Sequence, residues 1–378
     1  MIRLLRPLLL VRFGTIRCDR IAHFFWECCE IHFKQRNKNF YSLDLYWIRK
    51  NNANSAIAKL ISRNVKVFNI VEWVDKWNHK VPGGQKHSIS DHFNSWRDFS
   101  GKIKLTKNKL KLTASEIEFC YKWLKAKGWQ PGQPFVILLV RDSAFLSNDR
   151  TVQNYINGKD LSYHNYRDTN IEDYQLAVNW LVNKGIFVIR AGKIMHSPLN
   201  FQHENFLDYP FCDDQDDLLD VFFFSKCNFC ITTGTGPDLI SLYYQIPRLL
   251  INTLPLLLIQ RTGCDTIIPK KLINEKDKTE LSLTEYLNAS FTNTTDYEIN
   301  QISYIENSPY ENLIYVKEFY NRIKSNINFT SKMQKRAIEV TKAHPNFLKY
   351  HNYYNPQCLY SEKWLSSKDS SFLKTPDC

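Results

Sequence analysis

The sequence predicts an α/β protein made of two doubly wound halves that face one another across a cleft. Three observations carry this. The chain has 378 residues, more than the ~250–300 at which a single core usually stops growing, so two domains are expected. Short apolar runs alternate with amphipathic helical stretches on both sides of a Pro/Gly break at Trp129–Pro134, the order that builds parallel sheets. Finally, the apolar run Phe229–Ile231 ends in Thr232-Thr-Gly-Thr-Gly236, and Pro237 and Asp238 open a helix. Such a loop lets bare backbone N–H groups approach a phosphate, although tight strand-to-helix turns use the same residues for steric reasons alone.

Taken in order, Leu8–Phe13 reads as a buried strand that stops at Gly14, followed by a helix with Ile21, Phe24, Phe25, Cys28 and Ile31 on one stripe. Tyr41–Ile48 reads as a strand, Ser55–Ser62 as a helix and Val65–Ile70 as a third strand. Trp73–Ser100 is irregular and reads as a long, substrate-facing loop with short helices. Thr113-x-x-Glu116 is a capping box opening a helix that Gly128 ends. We place the domain boundary at 131/132, between an N-terminal Rossmann-like half and a C-terminal one over 132–330. In the second half Phe135–Val140 is a buried strand, and Thr169-x-x-Glu172 is a further capping box. Its helix stops at Gly185, before the strand Ile186–Arg190. Leu249–Ile251 is the strand after the Gly-Thr-Gly loop. The tail 331–378 reads as helical to Ala343 and packing back on the domains.

Charge is unevenly placed. Residues 1–131 carry 25 Lys+Arg against 10 Asp+Glu, a net +15, and residues 132–378 carry 25 against 28, a net −3. The N-terminal half therefore suits an anionic partner, a membrane surface, nucleic acid or a charged substrate; no motif that reads RNA or DNA is present, so nucleic acid is not expected. Lys102, Lys104, Lys107, Lys109 and Lys111 read as a solvated ribbon. The ten cysteines are scattered, several of them in apolar patterns, and do not form a disulfide framework. Cys227-x-x-Cys230 lacks a second ligand pair for zinc. Met1–Phe13 has neither a small-residue cleavage site nor the ~18–20 apolar residues that span a bilayer, so a cytoplasmic protein is expected.

Ligands of open α/β sheets bind beyond the carboxyl ends of the strands, so residues that follow strands are the candidates. Arg141 and Asp142 follow the strand at 135–140, Arg190 and Gly192 the strand at 186–190, and Asn252 the strand at 249–251. Thr233, Gly234, Thr235 and Gly236 form the loop. A guanidinium matches the oxyanions of a diphosphate, and each Arg has an ion-pair alternative in a nearby Asp, such as Asp142 or Asp208. His164, Arg167 and Asp168 are dense in hydrogen-bonding groups, for a sugar or base or for ordering their own loop. Arg12 and Gly14 end the first strand, and His23 lies on the first helix. There it could act as a general base or pack on the apolar stripe. Asp213–Asp217 could suggest a divalent metal through Asp214 and Asp216, but carboxylates at that position suit the start of the next helix, and no metal is expected.

The series Val140-Arg-Asp142, Ser162–Ile171, Val188-Ile-Arg-Ala-Gly192, Leu207-Asp-Tyr209, Leu219-Asp-Val221, Thr232–Gly236 and Ile268-Pro-Lys-Lys271 resembles a family of bacterial proteins assigned as glycosyltransferases and found among surface-polysaccharide and cell-envelope genes. The resemblance covers 135–290. It extends more weakly to Arg12-Phe-Gly14 and to Arg20-Ile-Ala-His23, where the family has Arg-Ile-Gly-His and this chain has Ala22 for the glycine. It implies a GT-B-like arrangement with no cofactor beyond the nucleotide diphosphate sugar itself. Arg141, Asp142, His164, Arg167, Arg190, Gly192, Asp208, Thr233–Gly236 and Asn252 would bind this donor. Arg12, Gly14 and Arg20 would lie on the acceptor side, with His23 as catalytic base. A glycan or lipid-linked acceptor would place the protein at the periphery of an anionic inner membrane. The alternatives are a catalytically inactive, anion-binding family member and a metal-dependent enzyme using Asp214 and Asp216.

Overall fold

The computed structural model describes residues 6, 8–36, 41–89, 98, 101–102, 106, 109–148, 162–325, 331–369 and 371–374. It begins with β1 (Leu10–Thr15), α1 (Ile21–Arg36), β2 (Ser42–Trp47), α2 (Ser55–Ser62) and α3 (Ile70–Asn78). β1 and β2 pair in parallel, widened by single bridges at Val67 beside Tyr46 and at Ser88 beside Phe13. The expected third strand is thus reduced to one bridge, because the chain turns into α3 at Ile70. The expected loop from Trp73 is helical to Asn78, and residues 90–97 and 99–100 of it lie outside the described residues. α1 and α2 cover one face of the pair, while Val71 of α3 packs with Val11, Phe13 and Trp47 on the other.

α4 (Ala114–Ala126) starts at the expected capping box, in which Thr113 and Glu116 cap each other's backbone. Then come β3 (Phe135–Leu139), α5 (Gln175–Val182), β4 (Phe187–Arg190), β5 (Phe206–Asp208), α6 (Asp217–Lys226), β6 (Phe229–Thr232), α7 (Asp238–Tyr244), β7 (Arg248–Ile251) and β8 (Asp265–Ile268). The antiparallel pair β9 (Lys271–Asn274) and β10 (Ile302–Ile305), α8 (Pro309–Ser325), α9 (Lys332–Ala343) and β11 (Leu359–Tyr360) follow, with short helices between and after them. A seven-stranded parallel sheet has the order β11-β8-β7-β6-β3-β4-β5. All its strands but the edge strand β5 are buried along their length, as unbroken apolar runs require. Val136, Leu138, Val188 and Ile231 pack beneath α5 and α8, whereas Phe135, Ile137, Leu139, Phe187 and Cys230 pack beneath α4, α6 and α7.

The second expected capping box does not form. Thr169 gives its N–H to the Arg141 carbonyl, Asn170 caps a 3₁₀ turn instead, and the α-helix begins only at Gln175. The tail is more than helical, since Leu359–Tyr360 adds an edge strand to the sheet. Nor does packing break at 131/132. Cys120, Leu124 and Trp129 share one core with Phe135 and Phe222, and the same core runs on into α1 and α2. The acidic run helps to join the halves. Asp216 caps α6 through the Leu218 N–H (2.7 Å), Asp217 accepts from the Ser55 N–H (2.7 Å), and Asp214 binds Trp123 Nε1 (2.8 Å) and Lys127. Of the lysine ribbon, Lys104 and Lys107 lie outside the described residues, and Lys102 and Lys109 rest over the rings of Phe33 and Tyr243. No helix among the described residues is long and apolar enough to cross a membrane.

A buried charge triad underlies the β6–α7 turn. Arg248 binds Asp238 (3.1 Å) and both carboxylate oxygens of Asp265 (2.9 and 2.7 Å), while Thr232 Oγ1 donates to Asp238 Oδ2 (2.9 Å). Arg248→Met would leave two buried carboxylates without their cation, and should cost about 3–5 kcal/mol of stability. Urea denaturation measures this, and a loss below about 1 kcal/mol would show the triad to be unimportant.

Candidate functional site

The sheet order places its topological switch point between β3 and β6, whose sequels run to opposite sides of the sheet. A ligand crevice belongs beyond the carboxyl ends of these two strands. Arg141 follows β3 by two residues and the Thr232–Gly236 loop follows β6. They are tied together, since the Arg141 N–H donates to Thr233 Oγ1 (3.0 Å). Arg167 reaches the loop from the 3₁₀ turn Ser162–Arg167 and donates through Nη2 to the Gly234 carbonyl. Lys270 follows β8. Its buried ammonium donates to the Asp168 carbonyl (2.5 Å) and lies 3.3 Å from Glu306 Oε1.

α1 brings the N-terminal half to the same place. A Cβ on Gly236 would stand 3.1 Å from the Ala22 Cβ, so glycine there allows the first turn of α1 to sit on the loop. Arg20 just precedes that turn and His23 lies within it. The cations then act on one another. Burial, followed by the charges of Arg167 and Arg20, holds the Arg141 guanidinium down at about 10, against the pull of Asp168. Burial and the charges of Arg141, Arg167 and Arg20 hold the His164 imidazole at about 3. His23 is held at about 4, by burial first and then by Arg17, with Arg20 adding to it. Both rings are neutral at pH 7.

Counter-charge is sparse. Asp168 Oδ1 lies 3.0 Å from Arg141 Nε, out of line for a hydrogen bond, and burial raises its pKa. Arg20 Nε, His23 Nδ1, His164 Nδ1 and Thr169 Oγ1 are buried with no hydrogen-bond partner among the described residues. In the loop, the Gly234 N–H is taken by Thr232 Oγ1 (3.1 Å), whereas the amides of Thr235 and Gly236 have no acceptor there. Desolvated cations and unsatisfied donors thus meet at one sheet edge, an arrangement suited to an anion.

Other sequence candidates do not join it. Arg190 is 1% exposed. It binds Asp208 (3.1 Å) and the Ser197 carbonyl (2.8 Å), so the ion-pair alternative holds and both Arg190 and Asp208 are structural. Gly192, at φ +147°, lets the chain reverse where a Cβ would meet Met195 Cε at 2.0 Å. Asp142 accepts from the backbone of Ala144 (2.9 Å) and His196 (3.1 Å), and so orders its own loop. Asn252 is fully buried against Tyr174 and Asn307. On the N-terminal side Arg12 forms a two-point ion pair with Asp44 on the neighbouring strand (2.8 and 3.0 Å). Gly14 lies within β1, not after it, where Ile89 crosses so closely that a Cβ would be 2.9 Å away.

Two residues escaped the sequence reading. Lys270 was marked by its position after a strand, in Ile268-Pro-Lys. Glu27 is one turn along α1 from His23, and burial pushes its carboxyl up to about 7. Only its place one turn from His23 on α1 could have signalled it. Among the described residues no group of three or more His, Cys, Asp or Glu could hold a metal ion.

No family model matches the chain, and no curated protein sequence does. Among solved structures it overlaps with a glycosyl transferase family 9 protein from Veillonella parvula (7% identity, 69% of this chain and 86% of that one, TM-score 0.41). It also overlaps with the ADP-heptose LPS heptosyltransferase II of E. coli (8%, 65% and 86%, TM-score 0.38) and with the MnaA–UDP complex of S. aureus (10%, 84% and 96%, TM-score 0.33). At such identities and scores the likeness establishes no common activity.

The two depressed imidazoles have a measurable consequence. Unfolded histidines take up protons near 6.5, whereas His23 and His164 wait until about 4 and about 3. The unfolded chain therefore binds more protons in that window, and stability should fall as pH drops from about 6.5 towards 4. The double variant His23→Gln/His164→Gln should lose less stability over that range in urea melts. An equal loss would show that these rings are not held neutral.

Proposed function

We propose that the protein is a metal-independent glycosyltransferase of GT-B type, moving a sugar from a nucleotide diphosphate sugar to a glycan or lipid-linked acceptor of the cell envelope. The observation that carries this is the meeting of Arg141, Arg167 and Lys270 with Arg20 and the open amides of Thr235 and Gly236 at the switch point of the sheet. The reaction needs that combination. As the acceptor oxygen bonds to the anomeric carbon, the bond from that carbon to the diphosphate breaks, and its electron pair leaves on the diphosphate. Fixed cations and N–H dipoles stabilise the developing charge with little reorganisation. The acceptor proton goes to the neutral imidazole of His23, in the first turn of α1, whose Ala22 lies against Gly236 of the loop. With a pKa near 4 it is a modest base, and the Glu27 carboxyl, at about 7, is the other candidate on the same helix. The carboxylates of Asp214 and Asp216 are engaged by Trp123, Lys127 and the start of α6, which favours cation-assisted departure over a metal.

Isothermal titration with UDP- and GDP-sugars tests the assignment. A charge-assisted hydrogen bond contributes about 1.5–3 kcal/mol, so Arg141→Gln and Arg167→Gln should each weaken donor binding by roughly ten- to a hundredfold. Turnover should persist in EDTA. If the wild type binds a donor and both variants bind it equally well, the site is wrongly assigned.

A further inference from the structure

The outer face of α3 is apolar where a water-facing helix should be polar. Ile70, Trp73 and Trp77 follow one another at i, i+3 and i+7, and are 67%, 66% and 68% exposed. Exposed Phe68 and Val81 prolong the stripe beyond both ends of the helix. The helix cannot turn this face inwards. Its opposite side is held by Val71 in the β1–β2 core and by Asp75, which accepts from Trp47 Nε1 (2.9 Å). Elsewhere among the described residues the large exposed apolar side chains are spread along the chain, and scattered singly they need no explanation. A contiguous stripe containing two indoles does.

The charges around it are mostly positive. Lys66, Lys76, Lys80 and Lys86 are set along the segment, and Lys76 lies over the rings of Trp73 and Trp47. Of the acidic residues between them, Asp75 is buried and Glu72 is paired with Lys76 (2.6 Å). Indoles settle at the headgroup level of a bilayer, and lysines at such an edge are drawn to anionic lipid. A second copy of the chain would instead bring like lysine fringes face to face. We propose that the Phe68–Val81 face docks the protein on an anionic bilayer surface, with Trp73 and Trp77 inserted among the headgroups. α1, which faces the anion site, is on the other side of the β1–β2 pair, so docking leaves that site uncovered.

Flotation of the full chain with lipid vesicles tests this. Wild type should float with vesicles one-third phosphatidylglycerol in phosphatidylcholine, and poorly with phosphatidylcholine alone. Trp73→Ser/Trp77→Ser and Lys76→Glu/Lys80→Glu should each reduce the bound fraction roughly tenfold or more. The Trp variant should unfold thermally like wild type, because both indoles are exposed, whereas Lys76→Glu/Lys80→Glu, which loses the pair with Glu72, should be slightly less stable while still folded at the flotation temperature. Arg141→Gln should float like wild type, which separates this proposal from the donor-site reading. Wild type that stays with the lipid-free fraction, or a Trp variant that floats equally well, overturns it. So does Trp-dependent dimerisation in sedimentation equilibrium without vesicle binding.

Discussion

The candidate site depends on one close approach, the first turn of α1 resting on Gly236. A side chain on the loop would crowd Ala22, with a Cβ at 3.1 Å, and the contact seats Arg20 near Arg141 and His164, which come from a different part of the chain. Without that contact Arg141 and Arg167 would line the rim of an ordinary parallel sheet. With it they face a second charged surface. Burial and neighbouring cations together depress the Arg141 guanidinium and the His164 imidazole, and several hydrogen-bonding atoms there have no partner among the described residues.

The support beneath the contact is also electrostatic, but of the opposite kind. Under the loop, Arg248 is balanced by Asp238 and Asp265 and every charge has a partner. On top of it, cations outnumber the carboxylates that touch them. A balanced triad rigidifies, whereas an unbalanced cluster holds free energy that an incoming anion releases. The two lie only a few residues apart along one turn. The turn is thereby fixed from below and left with unbalanced positive charge above.

The halves are not independent bodies hinged at a linker. One apolar core runs from the sheet through α6 and α7 into α1 and α2, and the acidic run 213–217 fastens α2 and α4 to the start of α6. Among its described residues the N-terminal half has two paired strands, and α1 is buried against the larger half. An exposed apolar stripe on α3 gives the molecule a chemically distinct face away from the site.

The central strands could be read from the sequence because a parallel sheet covered on both faces demands unbroken apolar runs. Phe135–Leu139, Phe187–Arg190, Phe229–Thr232 and Arg248–Ile251 lie within a residue of their expected bounds. The Thr113 capping box was equally legible, since both partners of its hydrogen bonds sit in one short segment. The Thr169 box failed because a distant carbonyl, that of Arg141, claimed its backbone. The same limit governs the site. The sequence by itself determined which strands end in polar residues, and hence that Arg141 and the Gly-Thr-Gly loop stand at the sheet edge. Only the tertiary structure decided that Arg190 closes on Asp208, that Arg12 closes on Asp44, and that Lys270 and Arg20 arrive where Arg141 stands. An ion pair or a like-charge cluster is a relation between residues far apart in the chain, and which relation wins depends on packing that no local pattern encodes.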